Sequence, residues 1–289
     1  MQDIRTWLQS GQLLIADGAA GTMLQGMGLQ PGQSPELWNV ENPDAVRSLH
    51  RAYLDAGSQV ILTNTFGGNR VRLAMAGLVE RLAELNRAGA ALAREEAAGR
   101  AYVAGDIGPT GELLRPYGKL EYADAVAAFR AQAAALVEGG VDLLWIETMS
   151  DLDEARAAIE GVRAVTDLPL FCSLSFGKHA RTIMGVSPRQ AAEALWPLGL
   201  AAVGANCGEG LDVMTPVLTE MRAALPAAAL IAKPNAGLPR LVQGQTVYDL
   251  GPEELAAHAP GLVSLGAQVI GACCGSSPQH IAALAARLR

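Results

Sequence analysis

A chain of 289 residues is long enough for two average domains or for one α/β barrel of about 250 residues. It is 50% apolar and only 18% charged, the balance of a compact soluble protein rather than a disordered or coiled-coil one. A net charge of -7 argues against nucleic acid as a partner, no run reaches the roughly 18 apolar residues of a membrane span, and Asp3, Arg5 and Asp17 do not suit a signal peptide, so a cytoplasmic protein is expected.

Eight short apolar or β-branched runs follow one another along the chain, at 13–16, 60–62, 102–104, 143–146, 170–174, 201–204, 230–232 and 269–271. Each is followed by a segment with helical spacing, at 43–56, 79–99, 122–138, 151–165, 188–198, 212–225, 252–265 and 278–288. Two of these helices carry a clear start signal, Ser187-Pro188 and Ser277-Pro278, an N-cap residue followed by proline in the first turn. Eight strand-then-helix units without a break in composition predict one α/β domain over 1–289, a (β/α)8 TIM barrel. No G-x-G-x-x-G follows a strand, which removes the main support for a dinucleotide-binding sheet. The segment 21–42 is long for a βα loop, and such loops tend to cover active sites.

In a barrel of this kind the active site is expected at the C-terminal mouth, where the strands end. The first strand ends in Asp17-Gly-Ala-Ala-Gly-Thr22, the second in Thr63-Asn-Thr-Phe66, the third in Gly105-Asp106 and the fourth in Glu147-Thr148. Ser173 and Ser175 close the fifth, Asn206-Cys207 the sixth, Lys233-Pro-Asn235 the seventh and Cys273-Cys274 the eighth. Cys207, Cys273 and Cys274 therefore share the mouth, whereas Cys172 sits inside a strand and reads as a small buried hydrophobe. A disulfide framework is not expected in a reducing compartment, and three thiolates with one open position form a catalytic zinc arrangement. The plainer alternative is a glycine-rich phosphate-binding turn before the last helix, with incidental cysteines.

His50, His179, His258 and His280 fall in helices or loops, where solvated or capping roles are expected. Asp17 and Glu147, directly at strand ends, point into the mouth and suit a substrate bearing an ammonium group. Backbone amides of the turn from Gly18 through Ala19 to Gly21 suit that substrate's carboxylate.

The set Asp17-Gly-Ala-Ala-Gly-Thr-Met23, Thr63-Asn-Thr-Phe66, Glu147-Thr148, Gly204-Ala-Asn-Cys207 and Gly271-Ala-Cys-Cys-Gly-Ser-Ser-Pro-Gln-His280 resembles the zinc-dependent homocysteine S-methyltransferase family. The resemblance covers essentially the whole chain. It implies a (β/α)8 barrel, Zn2+ held by Cys207, Cys273 and Cys274, and methylation of homocysteine to methionine. It also implies that Asp17 and Glu147 take the amino group, that Gly18 and Ala19 lie in the turn taking the carboxylate, and that Asn206 and Asn235 belong with the substrate-binding residues.

Members resembling the betaine enzyme hold a quaternary ammonium in an aromatic cage, but here Gly67, Gly68 and Thr148 stand where tyrosines are expected. Lys233-Pro-Asn-Ala-Gly-Leu-Pro239 and Gly244-Gln-Thr-Val-Tyr248 look instead like the homocysteine module of cobalamin-dependent methionine synthase. The expected methyl donor is accordingly a methyl-corrinoid, its cobalamin carried on a partner domain or protein. Betaine, S-methylmethionine or another small onium compound is the alternative. A reading of another class, a non-catalytic zinc-thiolate or redox-sensing barrel, leaves the carboxylate pair without a purpose. A barrel enzyme acting on a phosphate-bearing substrate would make no use of zinc.

Overall fold

The computed structural model describes residues 2–242 and 245–289, so Gln243 and Gly244, the latter part of a motif named above, lie outside the described residues. Eight parallel strands form one sheet: β1 Leu14–Ile15, β2 Val60–Leu62, β3 Tyr102–Ile107, β4 Leu143–Met149, β5 Leu170–Leu174, β6 Ala202–Cys207, β7 Leu230–Pro234 and β8 Ala267–Ile270. Each strand pairs with its neighbour in sequence, and β8 returns to β1. The ring closes between β1 and β2, where Asp17 N–H donates to the Val60 carbonyl at 3.1 Å and Gln59 N–H to that of Ile15 at 2.7 Å. The expected barrel is the observed one.

Helices α1 Pro43–Asp55, α2 Leu82–Ala97, α3 Tyr122–Glu138 and α4 Leu152–Arg163 follow the first four strands. After them α5 Pro188–Leu195, α6 Leu211–Ala224, α7 Pro252–Ser264 and α8 Pro278–Leu288 follow the other four. The Ser187 hydroxyl accepts from the Gln190 amide at 3.1 Å, completing the cap that the sequence signals. At α8 the cap partner is His280, whose Nδ1 accepts from the Ser277 amide at 3.1 Å. His50 departs from expectation: it is 1% exposed, packed inside rather than solvated.

Strand periodicity sorts the core into two layers, because alternate side chains face opposite sides of the sheet. Leu14, Val60, Tyr102, Leu143, Phe171 and Ile231 belong to the inner cluster, centred on the edge-to-face pair Trp145 and Phe171 with centroids 5.2 Å apart. Residues of the opposite parity, such as Ile15, Ile61, Val103 and Cys172, pack against the helices. A helix that the sequence reading did not anticipate, Ile4–Gln9, adds Ile4 and Leu8 to the inner cluster and plugs the N-terminal end.

The segment 21–42 is not a plain loop. It holds a helix at Gly21–Gly26, a 3-10 turn at Pro35–Leu37 and a short helix at Trp38–Glu41. Glu36 Oε1 accepts from the Gly67 amide at 2.6 Å and Asn39 Nδ2 donates to the Asn64 carbonyl at 2.8 Å, tying the segment to the loop after β2. Six-residue helices such as Gly21–Gly26 and Arg70–Met75 span fewer than two turns and carry too little periodicity to be read in advance. An antiparallel hairpin, Arg240–Val242 with Gln245–Val247, also escaped the sequence reading.

Candidate active site

Four strands run past their apolar stretches and carry polar residues into the top of the barrel. On β3 the inward positions are Tyr102, Ala104 and then Asp106; on β4 they are Leu143, Trp145 and Glu147. On β7 they are Ile231 and Lys233, continuing from Ala229 just before the strand, while Asn206 pairs with Lys233 across β6 and β7. Lys233 faces Glu147 at this level, and Asn206 bonds Thr148 and Ser173. Asp106, Glu147, Asn206 and Lys233 are all buried.

Lys233 is the cation of this layer. Its Nζ lies 3.4 Å from Asp17 Oδ1, 3.5 Å from Glu147 Oε2 and 4.9 Å from the centre of the Trp145 ring. Burial works against its charge, but Glu147 and Asp17 outweigh it and hold the ammonium above its ordinary range. The two carboxyls respond oppositely: burial pushes each up to about 6, with Lys233 limiting the rise. Asp17 Oδ2 also accepts from the Leu62 amide at 2.7 Å. Asp106 is raised as well, by burial and by the Glu147 charge, and its Oδ1 has no hydrogen-bond partner.

The expected residues Cys207, Cys273 and Cys274 do converge. Their sulfurs lie within 4.8 Å of one another, with Cys207 and Cys274 at 4.0 Å. Around a tetrahedral ion with Zn–S bonds of about 2.3 Å, sulfurs stand about 3.8 Å apart, so the donor set is close to that spacing. Cys207 takes the left-handed region at φ 59°, and Thr148 at φ 62° does the same. Such conformations carry strain that the surroundings must enforce. Here Asn206 does so: its Oδ1 accepts from the Thr148 amide at 2.8 Å, and its Nδ2 donates to Thr148 Oγ1 at 2.7 Å.

The first proton leaves this sulfur cluster readily. Hydrogen bonds from Cys273 and Cys274 draw the Cys207 thiol well below its ordinary range, while hydrogen bonding to Cys207, with burial, holds Cys273 and Cys274 above theirs. A crowd of three thiols that resists full ionisation by itself is what a divalent cation relieves. Asn235 stands beside it, donating to the Gly208 carbonyl at 2.9 Å while its Oδ1 is buried without a partner. Beyond the strand ends, the turn after β8 is held to the end of β7 and the loop after it by Cys273 N–H to the Pro234 carbonyl at 2.8 Å and Ala236 N–H to that of Cys274 at 2.9 Å.

The Gly18 turn completes the mouth. A Cβ on Gly18 would stand 2.5 Å from Ser276 Oγ and 2.8 Å from the Tyr53 hydroxyl, so only glycine fits. Ala19 N–H donates to Ser276 Oγ at 3.0 Å and its carbonyl accepts from Tyr53 at 2.8 Å, locking the turn to the loop that bears Cys273 and Cys274. Every residue named for the site from the sequence thus stands at one mouth. Asp106 and Lys233 were quoted at strand ends but not assigned to the site, and the signal that picks them out is the inward period-two register.

A family described as homocysteine S-methyltransferase matches residues 14–288. Methionine synthase of Mycobacterium tuberculosis is 33% identical over 297 residues, covering 96% of this chain and 25% of that protein. The methionine synthase of Mycobacterium leprae is 32% identical over 295 residues, 95% of this chain and 24% of that one. The chain therefore spans about a quarter of the length of the curated relatives it matches. The metallated form of the homocysteine methyltransferase MmuM from Escherichia coli superposes with a TM-score of 0.84 at 26% identity, covering 99% of this chain and all (100%) of that one.

Proposed function

The chain belongs to the homocysteine S-methyltransferase family, and from that membership we propose that its single barrel over 1–289 transfers a methyl group to the sulfur of homocysteine, forming methionine. The observation that carries this is the placing of three cysteine sulfurs within 4.8 Å at the same mouth as the Asp17 and Glu147 carboxyls. The sulfur donor set and the orphaned Asn235 Oδ1 beside it fit zinc, with Cys207, Cys273 and Cys274 as ligands. When bound, the ion supplies acidity to the substrate thiol, which with a pKa of about 8.5 is otherwise mostly protonated at neutral pH.

The protein's own groups place the rest of the substrate. Asp17 and Glu147 receive the ammonium, and Lys233, by sharing both, keeps them ionised and apart when no substrate is bound. Backbone amides of the turn from Gly18 to Gly21 receive the carboxylate, although the Ala19 amide is committed to Ser276 and leaves that task to its neighbours. Asn206 and Asn235 orient the sulfur side of the site. Held at both ends, the substrate presents its sulfur to the open mouth, where a methyl carbon approaches in line.

For the donor, the reading is a methyl-corrinoid carried on a protein surface. Large apolar side chains stand exposed on the βα loops, among them Leu113 (47%), Tyr117 (74%), Ile183 (87%), Leu238 (52%) and Leu241 (77%). Exposed apolar side chains on several loops of the barrel suit a macromolecular partner more than a small polar molecule. One observation favours the second reading, a small onium donor: the Tyr248 ring lies against Gly275, beside Cys274, where its face can attract a cation. The test supplies zinc-loaded protein and homocysteine with methylcobalamin, S-methylmethionine or betaine and follows methionine. Methionine from methylcobalamin supports the corrinoid, from the onium compounds the alternative, and from none of them, with the corrinoid protein also supplied, counts against the transfer. Among the described residues no helix is long and apolar enough to cross a membrane, and we place the protein in the cytoplasm, where such thiols stay reduced.

A further inference from the structure

Lys233 serves the buried carboxyls of the mouth unequally. Its Nζ reaches Asp17 Oδ1 at 3.4 Å and Glu147 Oε2 at 3.5 Å, and Asp17 has the Leu62 amide in addition. Asp106 is 6% exposed, and its Oδ1 is shut away from solvent with no donor facing it. Its backbone is fully tied: the amide donates to Thr63 Oγ1 at 3.0 Å and the carbonyl accepts from Thr65 Oγ1 at 2.8 Å. The side chain therefore follows Tyr102 and Ala104 inward, into the field of Glu147, Lys233 and Asp17.

A carboxyl in such a place is among the costliest groups a fold can bury, and packing alone would be better served by valine or leucine. Three carboxyls face one lysine, so the layer is short of a cation. An α-ammonium brings that cation and three N–H donors. Glu147 Oε2 and Asp106 Oδ1 are both buried acceptors without a hydrogen bond, and Asp17 Oδ1 is held only by Lys233.

We propose that Asp106 is a third recognition group for the acceptor's α-ammonium, making the site selective for α-amino thiols over thiols that lack the amino group. The inference rests on the homocysteine reading above.

The test compares L-homocysteine with 4-mercaptobutanoate, the same molecule without its amino group, by calorimetric titration of the zinc-loaded full chain. Asp106→Asn keeps the shape and removes the charge. Wild-type protein is expected to prefer homocysteine, and Asp106→Asn to lose about tenfold to a hundredfold of that preference while binding 4-mercaptobutanoate as before. A merely structural role would weaken both thiols equally, and that result, or an unchanged preference, overturns the inference. Should Asp106→Asn not fold, Asp106→Ser removes the same charge in a smaller side chain and is read by the same ratio. If wild-type protein binds neither thiol, the acceptor assignment falls and the inference with it. If wild type prefers homocysteine and the variants keep that preference, only the role of Asp106 falls.

Discussion

The side-chain amide of Asn206 reaches to 3.8 Å from Sγ of Cys273, while its Oδ1 accepts from the Ser173 hydroxyl at 2.7 Å. Ser173 in turn accepts from Trp145 Nε1 at 3.2 Å, so a continuous line of hydrogen bonds runs from the packed barrel interior to a sulfur of the cysteine cluster. Residues that orient ligands in this way commonly change metal affinity by roughly 10- to 100-fold. Asn206→Ala is expected to weaken zinc binding by that order and to lower stability by about 1–3 kcal/mol, since the Thr148 and Ser173 donors are left unpaired. Chelator competition reads the first effect and urea unfolding the second. Unaltered zinc affinity would mean that Cys273 is positioned without Asn206.

Cys273→Ser and Cys274→Ser test the donor set itself. A neutral hydroxyl supplies neither the charge nor the softness of a thiolate, so each variant should lose zinc and methionine formation together. Metal content and turnover are measured on the same preparation. Full activity in a zinc-free variant would remove the metal from the reaction.

Glu147→Gln keeps the volume beside Lys233 and removes one charged acceptor. Loss of a hydrogen bond to a charged group is worth about 1.5–3 kcal/mol, so homocysteine should bind roughly 10- to 100-fold more weakly with zinc content unchanged. The sign with pH follows from carboxyls that titrate near about 6 in the free site. As pH falls below 6 they take up protons and hold an ammonium less well, so the advantage of homocysteine over 4-mercaptobutanoate should shrink in acid. That fall should be shallower in Glu147→Gln. An advantage that does not vary with pH would take both carboxyls out of amino-group recognition.

How much of this was readable in advance depended on the length of each signal. The helices Tyr122–Glu138 and Pro278–Leu288 fell where the sequence placed them, because the first is a long alanine-rich run and the second opens on a Ser-Pro start. The cysteines were legible as a cluster since barrel topology sends every strand end to one mouth. Lys233 was harder: a lysine after an apolar run reads as the end of a strand. Only the register with Asn206 shows that the strand continues and turns its side chain inward to two carboxyls. His50 failed for a related reason, since an imidazole on a helix carries no mark of which face it takes. Its burial became visible only once α1 was seated against α2.

Gly204 tests the barrel wall. A Cβ there would stand 2.1 Å from the carbonyl oxygen of Ile231, which is backbone and has no room to give. Gly204→Ala should therefore destabilise the fold by at least about 3 kcal/mol, by overpacking against a neighbouring strand. Gly26 is the control: it lies in a helix, with nothing within 4 Å of its Cβ position. There alanine should leave stability unchanged or raise it by up to about 1 kcal/mol. Equal effects of the two substitutions, read from denaturant midpoints, would show that β6 and β7 are not packed as closely as described.

His50 gives the fold a buried titratable group on α1 that is not one of the mouth residues. Burial lowers its pKa to about 4, against a small opposing effect of Glu96, while in the unfolded chain it titrates near 6.5. Between those values the unfolded chain binds the proton and the native state does not. The contribution of His50 to stability is therefore complete above pH 6.5 and is lost as pH falls toward 4, a change of about 3 kcal/mol. Asp17 and Glu147 act in the opposite sense. Their native pKa values lie above the unfolded ones, so their contribution is full below pH 4 and is lost as pH rises through about 6. The wild-type profile sums these opposed terms, and only a difference isolates His50. His50→Gln removes one term and leaves the others, so the stability of wild type minus variant should fall by about 3 kcal/mol between pH 7 and pH 4, measured by urea unfolding at each pH. A difference that stays constant across that range would mean that native His50 takes up its proton as freely as the unfolded chain does.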